Sequence, residues 1–425
     1  MAKKEIISAI DIGTTKIVAM IAQKTEDGKF EILGLGNAPS SGVKRGVVVH
    51  IDETVSAIEL AKEQAEEKAG YRMGEVYVGI AGQHIKSMKN RNSKYIDNEE
   101  ISQGDVDYLH DQMSHTPLDP GEEILHVMPQ SYIVDSETDV TKPVGMSGRL
   151  LEANFNLVIG KVASARNISK CIERVELKVK KLILEPLASA TAVLTADERE
   201  AGVVLVDIGG GTTDIAVFYN DVVRHTAVIP FGGNVITNDI KEGCSILLRQ
   251  AEALKVQFGS AMGDTAADDK VVTIPGISGR DPREISFKNL AYIIQARMEE
   301  ILDAVAFEID NSGYAEKVSA GIVVTGGGAM LKNLPQLIKF KTGYDVRIGY
   351  PNQFLVSESD EELFQPMYST GIGLIIEGSY GGATHGSRSG FTFRKKSAGQ
   401  GVGSGLKEKI QKGWSSFFSD DTNRF

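Results

Sequence analysis

The chain has 425 residues, of which 42% are hydrophobic and 24% charged, and its net charge is −11. That length exceeds what one core holds, so two or more packed units are expected; the acidic balance excludes a general nucleic-acid binder, which needs a dense basic surface. The two cysteines, Cys171 and Cys244, lie far apart without metal-ligand spacing, which suits a reducing cytosol and supplies neither a disulfide framework nor a zinc site.

Lys3 and Lys4 open the chain, but the apolar stretch behind them is broken by Asp11 and is too short for a signal peptide. Residues 6–10, 17–22 and 30–33 read as strands, the first closed by Asp11 and joined to the second through Gly13-Thr14-Thr15-Lys16. A helix is expected over 54–70, where apolar residues recur at helical intervals with charges opposite. Residues 85–160 are less regular, with short strands at 130–134 and 153–159, and read as a subdomain inserted in a first lobe built from 1–84 and 161–196. A helix is expected again over 168–181. The strand–turn–strand pattern then returns: 203–206, an aspartate at 207, the turn Gly209-Gly210-Gly211-Thr212-Thr213-Asp214, and 215–219. An internal duplication nearly 200 residues apart implies two similar α/β lobes. The second would comprise 197–230 and 300–377, with 231–299 inserted and a helix over 290–309. No run of 18 apolar residues occurs, so nothing in the sequence spans a bilayer.

The turns carry the chemistry. A strand that ends in aspartate and turns through Gly-Thr aims several backbone N–H groups at one point, a nest suited to phosphate oxygens. Asp11 and Asp207 would hold a magnesium ion there through water, and Lys16 would offset phosphate charge. A single copy would read as an ordinary glycine hairpin; two matched copies at lobe spacing favour the phosphate reading. A third turn, Thr325-Gly326-Gly327-Gly328-Ala329, follows another apolar strand and would let a nucleoside lie against the backbone. No Gly-Lys-Ser/Thr sequence exists, which excludes a P-loop, and no turn has the setting of a dinucleotide fingerprint.

With these turns in order, the chain resembles the actin, hexokinase and heat-shock chaperone ATPase superfamily. The matching stretches are 10–16, Leu184-Glu185-Pro186-Leu187-Ala188-Ser189-Ala190, 206–214, 325–329 and 367–374. The resemblance implies a two-lobed α/β, ribonuclease H-like ATPase fold with ATP in the cleft. Gly13, Thr14, Thr15 and Lys16 would face Gly209, Gly210, Gly211, Thr212 and Thr213. It also implies that Gly232, Gly233 and Asn234 start the helix beneath the nucleotide, that Glu252 and Lys255 contact the adenosine, and that Gly326, Gly327, Gly328 and Ala329 back it. Glu185 or Asp207 would touch an attacking water, so at most slow hydrolysis is expected.

Within the superfamily the chain is similar to the FtsA family of bacterial cell-division actin homologues. The insert at 85–160, the run at 321–329, Val346-Arg347-Ile348-Gly349 and the tail carry that similarity. Between 378 and 405 nine glycines form a flexible tether. Behind it, over 406–418, Leu406, Ile410, Trp414, Phe417 and Phe418 share one face of a helix within an arc of about 120°. Trp and Phe at a headgroup boundary, with Lys407, Lys409 and Lys412 drawn to anionic lipids, make this a peripheral membrane anchor; docking onto a protein core is the alternative. The family implies self-assembly into filaments on the cytoplasmic face of the inner membrane, contact with later division proteins through the insert, and capture of the FtsZ C-terminal tail by the second-lobe insert. Arg280, Arg283, Lys288 and Arg297 would pair with that acidic-apolar peptide, or form a solvated basic face. A sugar-type kinase of the same superfamily is the enzymatic alternative, although no acceptor site is evident. A chaperone-type ATPase would need a peptide-binding domain that about fifty residues of tail cannot form.

Overall fold

The computed structural model describes residues 5–267, 269–275, 281–356 and 359–380. The first lobe opens with β1 (Ile6–Ile12), β2 (Lys16–Lys24) and β3 (Phe30–Pro39), a short hairpin of β4 (Val43–Lys44) and β5 (Val47–Val48), helix α1 (Ile51–Ala69) and β6 (Glu75–Ile80). The insert follows: β7 (Lys86–Tyr95), α2 (Gln103–Ser114), β8 (Glu122–Val134), β9 (Glu137–Val140) and β10 (Leu150–Lys161). The chain returns through α3 (Val162–Arg174), β11 (Lys178–Leu184), α4 (Glu185–Val193) and α5 (Ala196–Ala201). The second lobe holds β12 (Val203–Ile208), β13 (Thr213–Tyr219), β14 (Val222–Ile229), α6 (Gly233–Cys244), α7 (Leu248–Phe258), β15 (Val271–Ile274), β16 (Arg283–Ser286), α8 (Phe287–Ser312), β17 (Ile322–Thr325), α9 (Leu334–Thr342), β18 (Val346–Ile348) and α10 (Ser369–Ser379).

The duplication is visible in the sheets. The first is ordered β11-β6-β1-β2-β3 and the second β18-β17-β12-β13-β14. In each, the leading strand pairs antiparallel with its hairpin partner and parallel with a strand that returns after a helix. Every residue of β12 is buried, as befits a strand covered on both faces, which is why it reads as an unbroken apolar run rather than an alternation. Helices α4 and α10 lie between the lobes and share a core with Val203, Leu205 and Phe218 of the second sheet as well as Ile10 and Val78 of the first.

The insert is a four-stranded sheet, β7-β10-β8-β9, with α2 on one face over a core of its own that includes Leu109, Met113, Phe155 and Leu157. Residues 231–299 behave differently. Ile236, Ile240, Leu254 and Leu290 join the second-lobe core instead of forming a separate one.

Two boundaries differ from the sequence reading. The helix expected over 168–181 ends at Arg174, and Lys178–Leu184 is a strand. Glu176, at φ 62°, turns the chain out of the helix, and the spacing of Val179 and Leu182 mimics a helical interval. Residues 378 and 379, expected in the tether, belong to α10, which continues to Ser379. Gly378 belongs to the core: a Cβ there would lie 2.7 Å from the Tyr77 ring, so its lack of a side chain serves packing.

Candidate functional site

The two Asp–Gly turns are equal in length. Ile12 pairs with Ile17 and Ile208 with Thr213, so each loop holds four residues, Gly13-Thr14-Thr15-Lys16 and Gly209-Gly210-Gly211-Thr212. Matched by register, Lys16 corresponds to Thr212, and Asp214 to Val18. Side chains alternate along a strand, so Thr212 and Asp214 share one face and Thr213 takes the other. Thr212 and Asp214 line the cleft. Thr213 points away, fully buried, and its Oγ1 donates to the Phe231 carbonyl at 2.9 Å.

Between the turns lies a cleft of about 360 Å³ lined by Asp11, Gly13, Thr14, Thr15, Lys16, Glu185, Asp207, Gly209, Gly210, Gly211, Gly233, Asn234, Glu252, Lys255, Gly326, Gly327 and Gly328. Gly232 and Ala329 are outside the lining. A Cβ on Gly232 would lie 2.5 Å from the Gly209 carbonyl, so that position is a close crossing of backbones. Ala329 is fully buried in the second-lobe core. The start of α6 is tied to the turn beside it, with Gly233 N donating to Gly209 O at 2.9 Å and Asn234 N to Gly210 O at 2.8 Å. The hairpin tips of opposite lobes touch: a Cβ on Gly210 would stand 1.8 Å from Thr15 Oγ1. Gly326 adopts φ +82°, and a Cβ there would fall 2.2 Å from Asp207 Oδ1, so both conformation and space require glycine. On α7, the Lys255 ammonium donates to Gly233 O at 3.0 Å and Thr237 Oγ1 at 2.8 Å and pairs with Glu252.

The site concentrates acid. Burial pushes Asp11 up to about 6, against the pull of Lys16 and with the push of Asp207. Asp214 is raised by burial and then by Asp207, although Thr212 Oγ1 donates to it at 2.8 Å. Glu185 is raised well above its ordinary value by burial and by Asp11, Asp214 and Asp207. Burial also raises Asp207, opposed by Ser189 Oγ donating to its Oδ2 at 2.6 Å and Thr370 Oγ1 at 3.3 Å. The lone cation in this group, Lys16, is pushed down to about 8 by burial. Four carboxyl groups face one ammonium in low dielectric, which they cannot do fully ionised without further positive charge.

A hydrated magnesium ion fits that deficit. Asp214 Oδ1 and Lys16 Nζ are buried with no hydrogen-bond partner, and the donors are oxygens, as a hard cation requires. Among the described residues no three acidic, imidazole or thiol groups converge into a direct metal cage.

Several lining residues escaped the sequence reading. Asp214 was visible in the motif, and the alternation of strand faces places it beside Thr212. Gly46, on the β4–β5 turn, lines the cleft and donates its N–H to Thr14 Oγ1 at 3.0 Å. Thr370 and Lys332 line it as well, without a motif that marks them.

The residues expected to face a peptide partner are dispersed. Arg283, on β16, is exposed and donates to the Cys244 carbonyl at 3.2 Å. Lys288 is in the first turn of α8. Arg297, further along α8, is bound within the chain, to Asp239 at 2.5 and 3.1 Å and to Glu300 at 2.5 Å. Arg280 and the anchor residues Leu406, Ile410, Trp414, Phe417 and Phe418 lie outside the described residues. Among the described residues no helix is long and apolar enough to cross a membrane.

A duplicated five-stranded sheet closed around an acid- and glycine-lined cleft defines a two-lobed actin-like ATPase fold. Solved structures share it. The PilM–PilN type IV pilus biogenesis complex matches with a TM-score of 0.65 at 13% identity, covering 88% of this chain and 98% of that one. MreB5 of Spiroplasma citri bound to ADP matches with 0.55 at 13%, covering 88% and 97%. Two family models narrow the class: "Cell division protein FtsA" matches residues 204–373 and "SHS2 domain inserted in FTSA" matches 82–159. The cell division protein FtsA of Pseudomonas aeruginosa is 39% identical over 374 residues, 88% of this chain and 89% of the relative. That of Escherichia coli K12 is 36% identical over 389 residues, covering 90% and 91%, and that of Bacillus subtilis 34% over 377, covering 88% and 84%. The chain belongs to the FtsA family of cell-division proteins.

Proposed function

We propose that the chain binds ATP with magnesium in the interlobe cleft, assembles with its own copies on the cytoplasmic face of the inner membrane, and holds FtsZ filaments there. The observation that carries this reading is the pair of register-matched turns, one from each lobe, meeting over four carboxyl groups and one lysine. Backbone N–H groups of Gly13, Thr14 and Thr15 and of Gly209, Gly210 and Gly211 would receive the phosphates, with Lys16 as counter-charge. Asp11 and Asp207, joined by Asp214, would hold the hydrated ion. When bound, magnesium supplies the positive charge that the carboxyl groups and phosphates lack. Glu252 and Lys255 would meet the ribose and base, with Gly326, Gly327 and Gly328 behind. A neighbour of the same fold, MreB5 of Spiroplasma citri, is bound to AMPPNP, which supports the same use of this cleft.

Glu185 starts α4 in the cleft, where burial and then Asp11, Asp214 and Asp207 raise its carboxyl. A carboxyl shifted toward its neutral form is a weaker base for water, which supports slow turnover. The segment 406–418 would anchor the chain to anionic lipid. One short amphipathic helix binds weakly, and a filament multiplies it by avidity. Later division proteins would meet the insert. The FtsZ tail would reach the second lobe at Arg283 and Lys288 with Arg280, while Arg297 braces α8 against α6 through Asp239. Electron microscopy on anionic lipid monolayers with ATP, ADP or no nucleotide tests the reading. Filaments with ATP that are lost without it support it; filaments indifferent to nucleotide remove its basis.

A further inference from the structure

The surroundings of Lys16 go beyond phosphate binding. Its Nζ is buried, finds no hydrogen-bond acceptor, and rests 3.8 Å from the centre of the Tyr368 ring. Tyr368 is 1% exposed, and its hydroxyl donates to Glu362 Oε1 at 2.5 Å. A phenol that donates to a carboxylate has a more negative ring face, and a desolvated ammonium over such a face is a strong cation–π pair. Pro366, Met367 and Thr370 line the cleft, but Tyr368 between them does not. The ammonium is therefore turned toward the wall of the cavity.

The wall segment is also tied to the other two turns. Gly326 N donates to the Pro366 carbonyl at 3.2 Å, and Thr370 Oγ1 donates to Asp207 Oδ2 at 3.3 Å. Glu362 is anchored one step further, its N–H donating to Asp360 Oδ1 at 3.1 Å. A displacement of Lys16 is thus felt directly by the crossing between the lobes.

We propose that Tyr368, with Glu362 behind it, is a holding position for Lys16 that competes with phosphate, so that a phosphate oxygen must draw the ammonium off the ring to be bound. Tyr368 is then a positioning residue that acts through Lys16. The inference rests on the nucleotide reading above. A contact that competes with the ligand for the same ammonium lowers ligand affinity by its own equilibrium constant, so removing it tightens binding of anything that recruits Lys16.

The test is titration calorimetry of the full-length protein with ATP and with adenosine, both in magnesium. Tyr368→Phe keeps the ring and should stay within about twofold of wild type. Tyr368→Leu should bind ATP about tenfold tighter, while adenosine, which lacks phosphate, is bound as by wild type. Because Tyr368 is buried and its replacement can unfold the crossing, Glu362→Gln at an exposed position is the second variant; it should tighten ATP binding by roughly two- to threefold. In a Lys16→Ala background neither change should matter. Unchanged or weakened ATP binding in both Tyr368→Leu and Glu362→Gln, or a gain that survives in Lys16→Ala, overturns the holding role alone. Failure of the wild-type protein to bind ATP overturns the nucleotide reading with it.

Discussion

Replacing Asp11 by asparagine should stabilise the nucleotide-free protein and weaken it as a binder. Asp11 lines the cleft partly buried, and desolvation there raises its carboxyl from 3.8 to about 6. A gap of roughly two units corresponds to about 3 kcal/mol of folding free energy at pH 7. The sign follows from proton binding. Between about pH 4 and 6 the folded chain holds a proton that the unfolded chain has released, so stability falls as pH rises through that window, and the whole penalty is present at pH 7. Asparagine never ionises. Nucleotide-free Asp11→Asn should therefore gain about 3 kcal/mol at pH 7 and under about 1 kcal/mol near pH 4. Urea unfolding followed by circular dichroism at both pH values measures it, and the same variant should lose most of the stabilisation that magnesium and ATP give wild type. A variant that is less stable than wild type at pH 7, or one whose gain is equal at both pH values, would refute the charge argument.

Three further outcomes follow from the packing. Gly373→Ala would place a Cβ 1.8 Å from the Ala188 carbonyl where α4 crosses α10, and should cost about 1–3 kcal/mol in urea unfolding; a neutral result would mean the crossing is looser than described. Arg283→Glu should lower affinity for an acidic FtsZ-tail peptide about tenfold in fluorescence anisotropy, whereas Arg297→Ala should mainly lower stability, because its partners Asp239 and Glu300 are within the chain. Deleting 406–425 should abolish cosedimentation with anionic vesicles and leave ATP affinity intact; a truncated protein that still pellets puts the anchor elsewhere.

The sequence was most legible where local chemistry and global geometry agree. Asp11 and Asp207 end strands that had to be buried, and the glycines behind them mark backbones that meet a neighbour within a Cβ's length, so both turns could be placed before the fold was known. Register was harder. Thr213 looks like Thr14 or Thr15 as a letter, but it pairs with Ile208 as the first residue of β13 and faces away from the cleft, whereas Asp214 lines it. The helix expected through 181 failed because three lysines in β11 imitate the polar face of a helix. Tyr368 was beyond reach: its role depends on a lysine more than 350 residues earlier in the chain and on no motif of its own.

ATP retention is the most direct test of the central claim. Purified wild type, Lys16→Ala and Asp207→Ala, desalted after incubation with ATP and magnesium, would be assayed for bound nucleotide. The account predicts that wild type keeps ATP only when magnesium is present and that each variant loses at least about tenfold in affinity, as expected when a charged contact to phosphate or metal is removed. Wild type that emerges empty, or variants that hold ATP as wild type does, would contradict it.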